Sequence, residues 1–153
     1  MHAYKEKPIT RMRLLTLLTK QECAIMAIFL NKSKVYSRLQ DEKHLLYNYV
    51  VNILLDRIMT KKYIDKTQPI TLVAAKRETN KFLNTNFKSY LQSQLKNNHS
   101  VLIDVDIKMP SEEKSLQLVD CVSWSLFRKY EMKDKKYYEV IKNLIKEESG
   151  LFT

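Results

Sequence analysis

Residues 69–107, PITLVAAKRETNKFLNTNFKSYLQSQLKNNHSVLIDVDI, decide how this chain folds. Pro69 opens a short apolar run, ITLVAA, whose length and β-branched content read as a buried strand. The charged KRET follows, and Thr79 is placed to cap a helix running to about Lys96. Phe82, Phe87, Tyr90, Leu91 and Leu95 form the inner face predicted for that helix. Residues 101–107, VLIDVDI, then alternate apolar side chains with Asp104 and Asp106, as a half-exposed strand does. A strand, a helix and a strand in this order predict a largely parallel pair, because parallel neighbours need a crossover and not a tight turn.

Working outward, residues 22–30 (ECAIMAIFL) form another compact apolar run, bounded by Asn31, Lys32 and Ser33, and read as a buried strand. A short helix is predicted from Thr10, as N-cap, to about Lys20. From Leu39 to about Thr60, the positions Leu45, Leu46, Tyr49, Val50, Ile53, Leu54 and Ile58 recur at helical spacing. Downstream, Pro110 and Ser111 break the chain ahead of a helix from about Glu113 to Tyr130. Asp134 then caps a last helix through Tyr137, Tyr138, Ile141, Leu144 and Ile145. The predicted order is α-β-α-β-α-β-α-α, an α/β layered domain occupying residues 1–153 as a single unit.

Gly150 is the only glycine of the 153 residues. Glycine-rich phosphate loops need several, because the backbone there adopts positive φ and approaches the ligand closely. That excludes the common nucleotide-binding loops and makes tight hairpins scarce. No apolar run approaches the roughly 18 residues of a membrane helix, and the N-terminal segment lacks a signal-peptide cleavage pattern. Cys23 and Cys121 lie far apart in apolar contexts and read as reduced core thiols of a cytoplasmic protein. His2, His44 and His99 show no zinc-ligand spacing.

The net charge of +10 is unevenly spread. Residues 1–38 hold eight Lys or Arg against two acids, and residues 67–99 hold five against one. Residues 100–153 carry nine basic and ten acidic side chains. Concentrated positive charge suits a phosphate backbone, and it equally describes a lysine-rich solvated surface. Lys76 and Arg77, just past a strand end and before a helix start, are the best-placed phosphate contacts, with Arg11 and Arg13 in the N-terminal block. Trp124, Tyr130, Tyr137 and Tyr138 have the chemistry to stack on bases, while their helical spacing also fits a core.

Asp120 is the most informative acid. Its helical neighbours Leu116, Ser123 and Phe127 put the carboxylate on a largely inward face. A carboxylate there requires an internal partner or a cation such as Mg²⁺ or Mn²⁺.

The segment SLQLVDCVSWSLFRKYEMKDKKYYEVIKNLI, residues 115–145, resembles the C-terminal signature of the domain-of-unknown-function 3800 family. In that family a Leu-Gln-x-x-Asp helix precedes an Arg-Lys-Tyr-Glu stretch and a tyrosine-rich helix. The stretch KVYSRLQDEKHLLYNYVVNILLDRI is similar to the family's tyrosine-containing middle helix, and the likeness covers most of residues 22–146. The resemblance implies a ribonuclease H-like fold, a small mixed sheet flanked by helices. It also implies carboxylates holding two divalent ions, Mg²⁺ or Mn²⁺, that act on phosphodiesters. Asp120 matches the last acidic position and would be a metal ligand.

Two features depart from that pattern. The family's opening acid-bearing strand has no counterpart here, so the chain reads as N-terminally truncated, and Ala74 and Ala75 stand where another acid is often found. Glu78 and Asp106 are the candidate catalytic replacements, and both also read as solvated surface charge. The missing strand would lie between residues 22–30 and 70–75, so those strands either pair directly or leave open edges. A protein partner or a second copy of the chain would then complete the sheet. The expectation is a nucleic-acid-associated protein, DNA or RNA, with an incomplete metal-dependent nuclease site. The competing reading is a non-catalytic interaction module that binds a protein or nucleoprotein complex, such as a phage or mobile element encodes.

Overall fold

A computed structural model describes residues 7–76 and 80–151. The elements run α1 (Pro8–Thr19), β1 (Ile25–Leu30), α2 (Ser37–Asp41), α3 (Lys43–Thr60), β2 (Ile70–Ala75), α4 (Lys81–His99), β3 (Ile103–Lys108), α5 (Lys114–Glu131), α6 (Lys136–Ile141) and β4 (Ile145–Leu151). The protein is mixed α/β. Its strands make two small parallel sheets, β1 with β4 and β2 with β3, in place of the single mixed sheet expected. β1 and β2 do not pair directly.

The chain divides into two compact units. The first comprises Met1–Met26 and Lys108–Glu147, and the second Ala27–Ile107 and Glu148–Thr153. In the second, β2, α4 and β3 form the crossover that the sequence anticipates. β2 spans Ile70–Ala75 as read, and β3 alternates buried Ile103 and Val105 with exposed Asp104 and Asp106. Phe87, Leu91 and Leu95 of α4 pack against Leu55 and Met59 of α3 and against both strands. Burying side chains of this size contributes about 1.5–3 kcal/mol each.

Several boundaries differ from the sequence reading. Residues 39–60 do not form one helix, because Glu42, with φ −110° and ψ 76°, breaks the chain between α2 and α3. Nor is the apolar stripe expected on α3 the one that is buried. Asn48, Leu55 and Met59 face the core, while Leu45 and Tyr49 are exposed. Phe82, expected inside, is also exposed. Thr79 lies outside the described residues, and Asn80 caps α4 by accepting the Phe82 N–H at 2.8 Å.

The first unit packs α1, α5 and α6 around Leu15, Cys121, Val122, Tyr137 and Ile141. Pro8 begins α1 at the first helical position, where a missing N–H is no loss, so Lys7 and not Thr10 occupies the N-cap. The last helix stops at Ile141, passes through a tight turn at Lys142–Leu144 and becomes β4. Neither cysteine forms a disulfide; Cys121 is buried as expected, whereas Cys23 is exposed ahead of β1.

Candidate nucleic-acid interface

The α5–α6 corner is built around one carboxylate. Arg128 donates to Asp134 Oδ2 through Nε at 3.2 Å and a terminal guanidinium nitrogen at 2.8 Å. The Lys136 backbone N–H donates to Asp134 Oδ1 at 3.1 Å, so this side chain also holds the start of α6. These bonds, the Arg128 guanidinium first, hold the Asp134 carboxyl below the usual aspartate range. Lys133, at φ 55°, turns the backbone between the helices.

Around this corner, cations alternate with rings. The Lys129 ammonium lies 3.7 Å from the Tyr138 ring centre and 4.9 Å from that of Tyr130. Lys133, Lys135 and Lys136 are exposed on the adjoining turn, and Tyr130 and Tyr138 are half-buried. Tyr137 is different. It is buried, and its ring meets Trp124 edge-on at 4.5 Å between centroids. Tyr137 and Trp124 are therefore occupied in the first unit's core.

No family model matches the chain, and no curated protein or solved structure matches it.

The residues singled out from sequence take varied positions. Arg11 is only 8% exposed and lies 4.0 Å from the Trp124 ring centre, whereas Arg13, on the same helix, is exposed. Lys76 is exposed at the end of β2, and Arg77 and Glu78 lie outside the described residues. Asp106 points out from the exposed face of β3. Asp120 is half-buried on α5, yet of its helical neighbours only Leu116 is buried, while Ser123 and Phe127 are exposed. Its face is the boundary of the helix and not the interior, which Leu116, Cys121, Val122 and Ser125 occupy.

A two-ion centre needs several carboxylates around cations roughly 3.5–4 Å apart. Among the described residues, no three His, Cys, Asp or Glu side chains converge into a set that could hold a metal ion. The described residues thus do not fit the Mg²⁺ or Mn²⁺ cage that the resemblance implies.

Sequence reasoning passed over Lys129, Lys133, Lys135 and Lys136. Residues 128–136 carry five basic side chains against two acids, and Asp134 is spent on Arg128. Averaging charge over residues 100–153 concealed that local excess; a nine-residue window exposes it.

Proposed function

We propose that this chain is a ribonuclease H-like module that associates with nucleic acid through its phosphates, and that it is not a self-sufficient nuclease. The α/β crossover and the ordered sequence blocks of residues 22–146 support the fold assignment. One observation carries the binding role: Lys129 set between Tyr130 and Tyr138, with Lys133, Lys135 and Lys136 exposed beside it. Ammonium groups neutralise successive phosphates and release counterions, while neighbouring rings offer faces to unstacked bases. Single-stranded nucleic acid suits this combination better than duplex, whose bases are already stacked.

Fluorescence anisotropy with labelled single-stranded and duplex oligonucleotides, over a range of salt, tests the reading. Replacing Lys133, Lys135 and Lys136 together by Ala is expected to weaken binding and flatten the salt dependence by up to about two, at roughly 0.7 per lost single-strand phosphate contact. Asp120→Asn is expected to leave affinity within about twofold, since a boundary carboxylate opposes phosphate only weakly. Unchanged affinity and slope in the triple lysine variant would overturn the assignment of this surface. Mg²⁺- or Mn²⁺-dependent cleavage abolished by Asp120→Asn would overturn the non-catalytic reading.

A further inference from the structure

The outward faces of α1 and α5 carry apolar side chains that the core of the first unit does not use. α1 turns Leu15 inward, with Met12, Leu14 and Leu18 packed beside it, while Ile9 and Leu17 are more than half exposed. α5 buries Leu116, Cys121, Val122 and Ser125, while Val119 and Phe127 are more than half exposed. A helix that is apolar on both sides is normally covered on both. Apolar residues scattered singly over a surface need no explanation, but these four stand in two ordered rows.

On α1 the row is Ile9, Arg13 and Leu17, with Thr16 and Lys20 beside it on the same face. On α5 it is Val119, Ser123, Phe127 and Glu131, with Asp120 alongside. Residues four apart form the ridge that one helix presents to another.

The two rows match in three respects. First, the apolar residues of each are eight positions apart, 9 to 17 and 119 to 127, or roughly 12 Å along a helix axis. Second, their bulk alternates. Arg13 stands midway in one row and the small Ser123 midway in the other, so the long side chain meets the short one whichever way the helices run. The α1 face also holds a shallow hollow of about 370 Å³ with Thr16 in its lining, room for a ring such as that of Phe127. The Thr16 hydroxyl donates to the Met12 carbonyl at 2.7 Å and so asks for no polar partner there.

Third, the charges are opposite. Residues 7–21 contain no acid, and the α1 face presents Arg13 and Lys20, both exposed. The α5 face presents exposed Glu131 and half-buried Asp120. With the helices antiparallel, Asp120 falls opposite Thr16, between Arg13 and Lys20. With them parallel, Glu131 falls beside Lys20.

We infer that these faces are the two halves of one interface between two copies of this chain, α1 of each copy lying on α5 of the other. A two-fold axis makes the contact twice, which brings short helix contacts toward the roughly 1,200–2,000 Å² of a stable interface. The net charge of +10 sets two copies against each other at long range, so pairing requires local complementarity of this kind. The interface stands whether or not the α5–α6 corner binds nucleic acid.

Sedimentation velocity of the full chain, freed of nucleic acid and followed up to millimolar concentration, tests this. A concentration-dependent monomer–dimer equilibrium is expected. Leu17→Ser combined with Phe127→Ser, both at exposed positions, is expected to weaken dimerisation at least about a hundredfold, since four apolar side chains are lost across the two contacts. Arg13→Glu with Lys20→Glu sets like charges against Asp120 and Glu131 and is expected to abolish the dimer. Asp120→Lys with Glu131→Lys should do the same from the other side; should that variant not fold, Glu131→Lys alone replaces it. Mixing the two charge-reversed chains restores opposite signs at both contacts, so the mixture is expected to dimerise where neither chain does alone. A parent chain that stays monomeric, a dimer that survives the double serine variant, or a mixture that stays monomeric would overturn the proposal.

Discussion

The guanidinium carbon of Arg11 lies 4.0 Å from the centre of the Trp124 ring, and that of Arg128 lies 5.6 Å from it. Arg11 belongs to α1 and Trp124 to α5, so this contact latches two helices of the first unit. The aromatic face offers its negative quadrupole to the cation, and the arginine stem covers apolar surface that water would otherwise reach. Two of the three cations at the start of the chain's described region, Arg11 and Arg13, sit on one helix yet do different work.

Arg11→Ala is accordingly expected to destabilise the protein by about 1–2 kcal/mol, combining a largely desolvated cation–π contact with lost packing. Arg13→Ala, at an exposed position, is expected to fall within about 0.5 kcal/mol of the parent. Urea unfolding of both variants checks the contrast. Equal stabilities would show that the Trp124 contact does not hold α1 in place.

Asp134 links stability to pH. Its hydrogen bonds from Arg128 and from the Lys136 N–H favour the ionised form, so its native pKa lies below its unfolded value. The unfolded chain therefore binds more protons across that interval, and stability falls with falling pH. The contribution is complete above the ordinary aspartate range near ~3.9 and is lost as pH drops through the depressed native value. Asp134→Asn is expected to lower the melting temperature at neutral pH and to make the acid limb shallower. Thermal unfolding from neutral to strongly acidic pH checks both, and parallel acid limbs in parent and variant would contradict the assignment.

The crossover was legible because local signals agreed there. Pro69 and Lys76 bracket β2, and Asp104 and Asp106 mark the outward positions of β3. The end of the chain was less legible for a definable reason. Ile141, Leu144 and Ile145 stand at helical spacing, so the pattern carried a helix past the point where the backbone tightens and becomes β4. IKEESGL has no alternation that declares a strand, and its pairing with β1 is a long-range contact invisible to a local pattern. On α3 the misleading residue was Asn48. A polar side chain in the inward row hid the face that Leu55 and Met59 share. Asp120 was placed correctly on its helix but read one step too far inward, because spacing cannot tell a boundary from a core.

A chain with a single glycine must build left-handed turns from other residues. Lys62, Ser100 and Lys133 take φ values of 58°, 55° and 55°. Ser100 ends α4, and its N–H bonds back to the Lys96 carbonyl at 3.0 Å. A left-handed conformation costs about 1–2 kcal/mol for a residue with a Cβ, against about 0.4–1 kcal/mol of added unfolded-state entropy for glycine. Ser100→Gly is therefore expected to raise stability by about 0.5–1 kcal/mol, and Ser100→Val to lower it. Denaturant midpoints at unchanged slope check this, and a destabilised glycine variant would show that the Ser100 conformation carries no strain.

His99 Nε2 lies 2.6 Å from Asp56 Oδ1, with the ring N–H donating, and ties the last turn of α4 to α3. The histidine side chain is 13% exposed and the aspartate 50%, so the pair is neither buried nor freely solvated. Full desolvation would make such a bond strong, and water at Asp56 screens it. A double-mutant cycle with His99→Ala and Asp56→Ala is expected to give a coupling of about 0.5–1 kcal/mol. The single variants lose stability for different reasons, since removing Asp56 strands a nearly buried ring N–H, whereas removing His99 leaves a carboxylate that water can solvate. Asp56→Ala is therefore expected to cost about as much as His99→Ala despite its smaller lost packing, and Asp56→Asn, which keeps an acceptor, should recover part of the loss. A coupling indistinguishable from zero in urea unfolding would mean that the α3–α4 contact is held without this pair, by packing such as that of Leu55, Met59, Leu91 and Leu95.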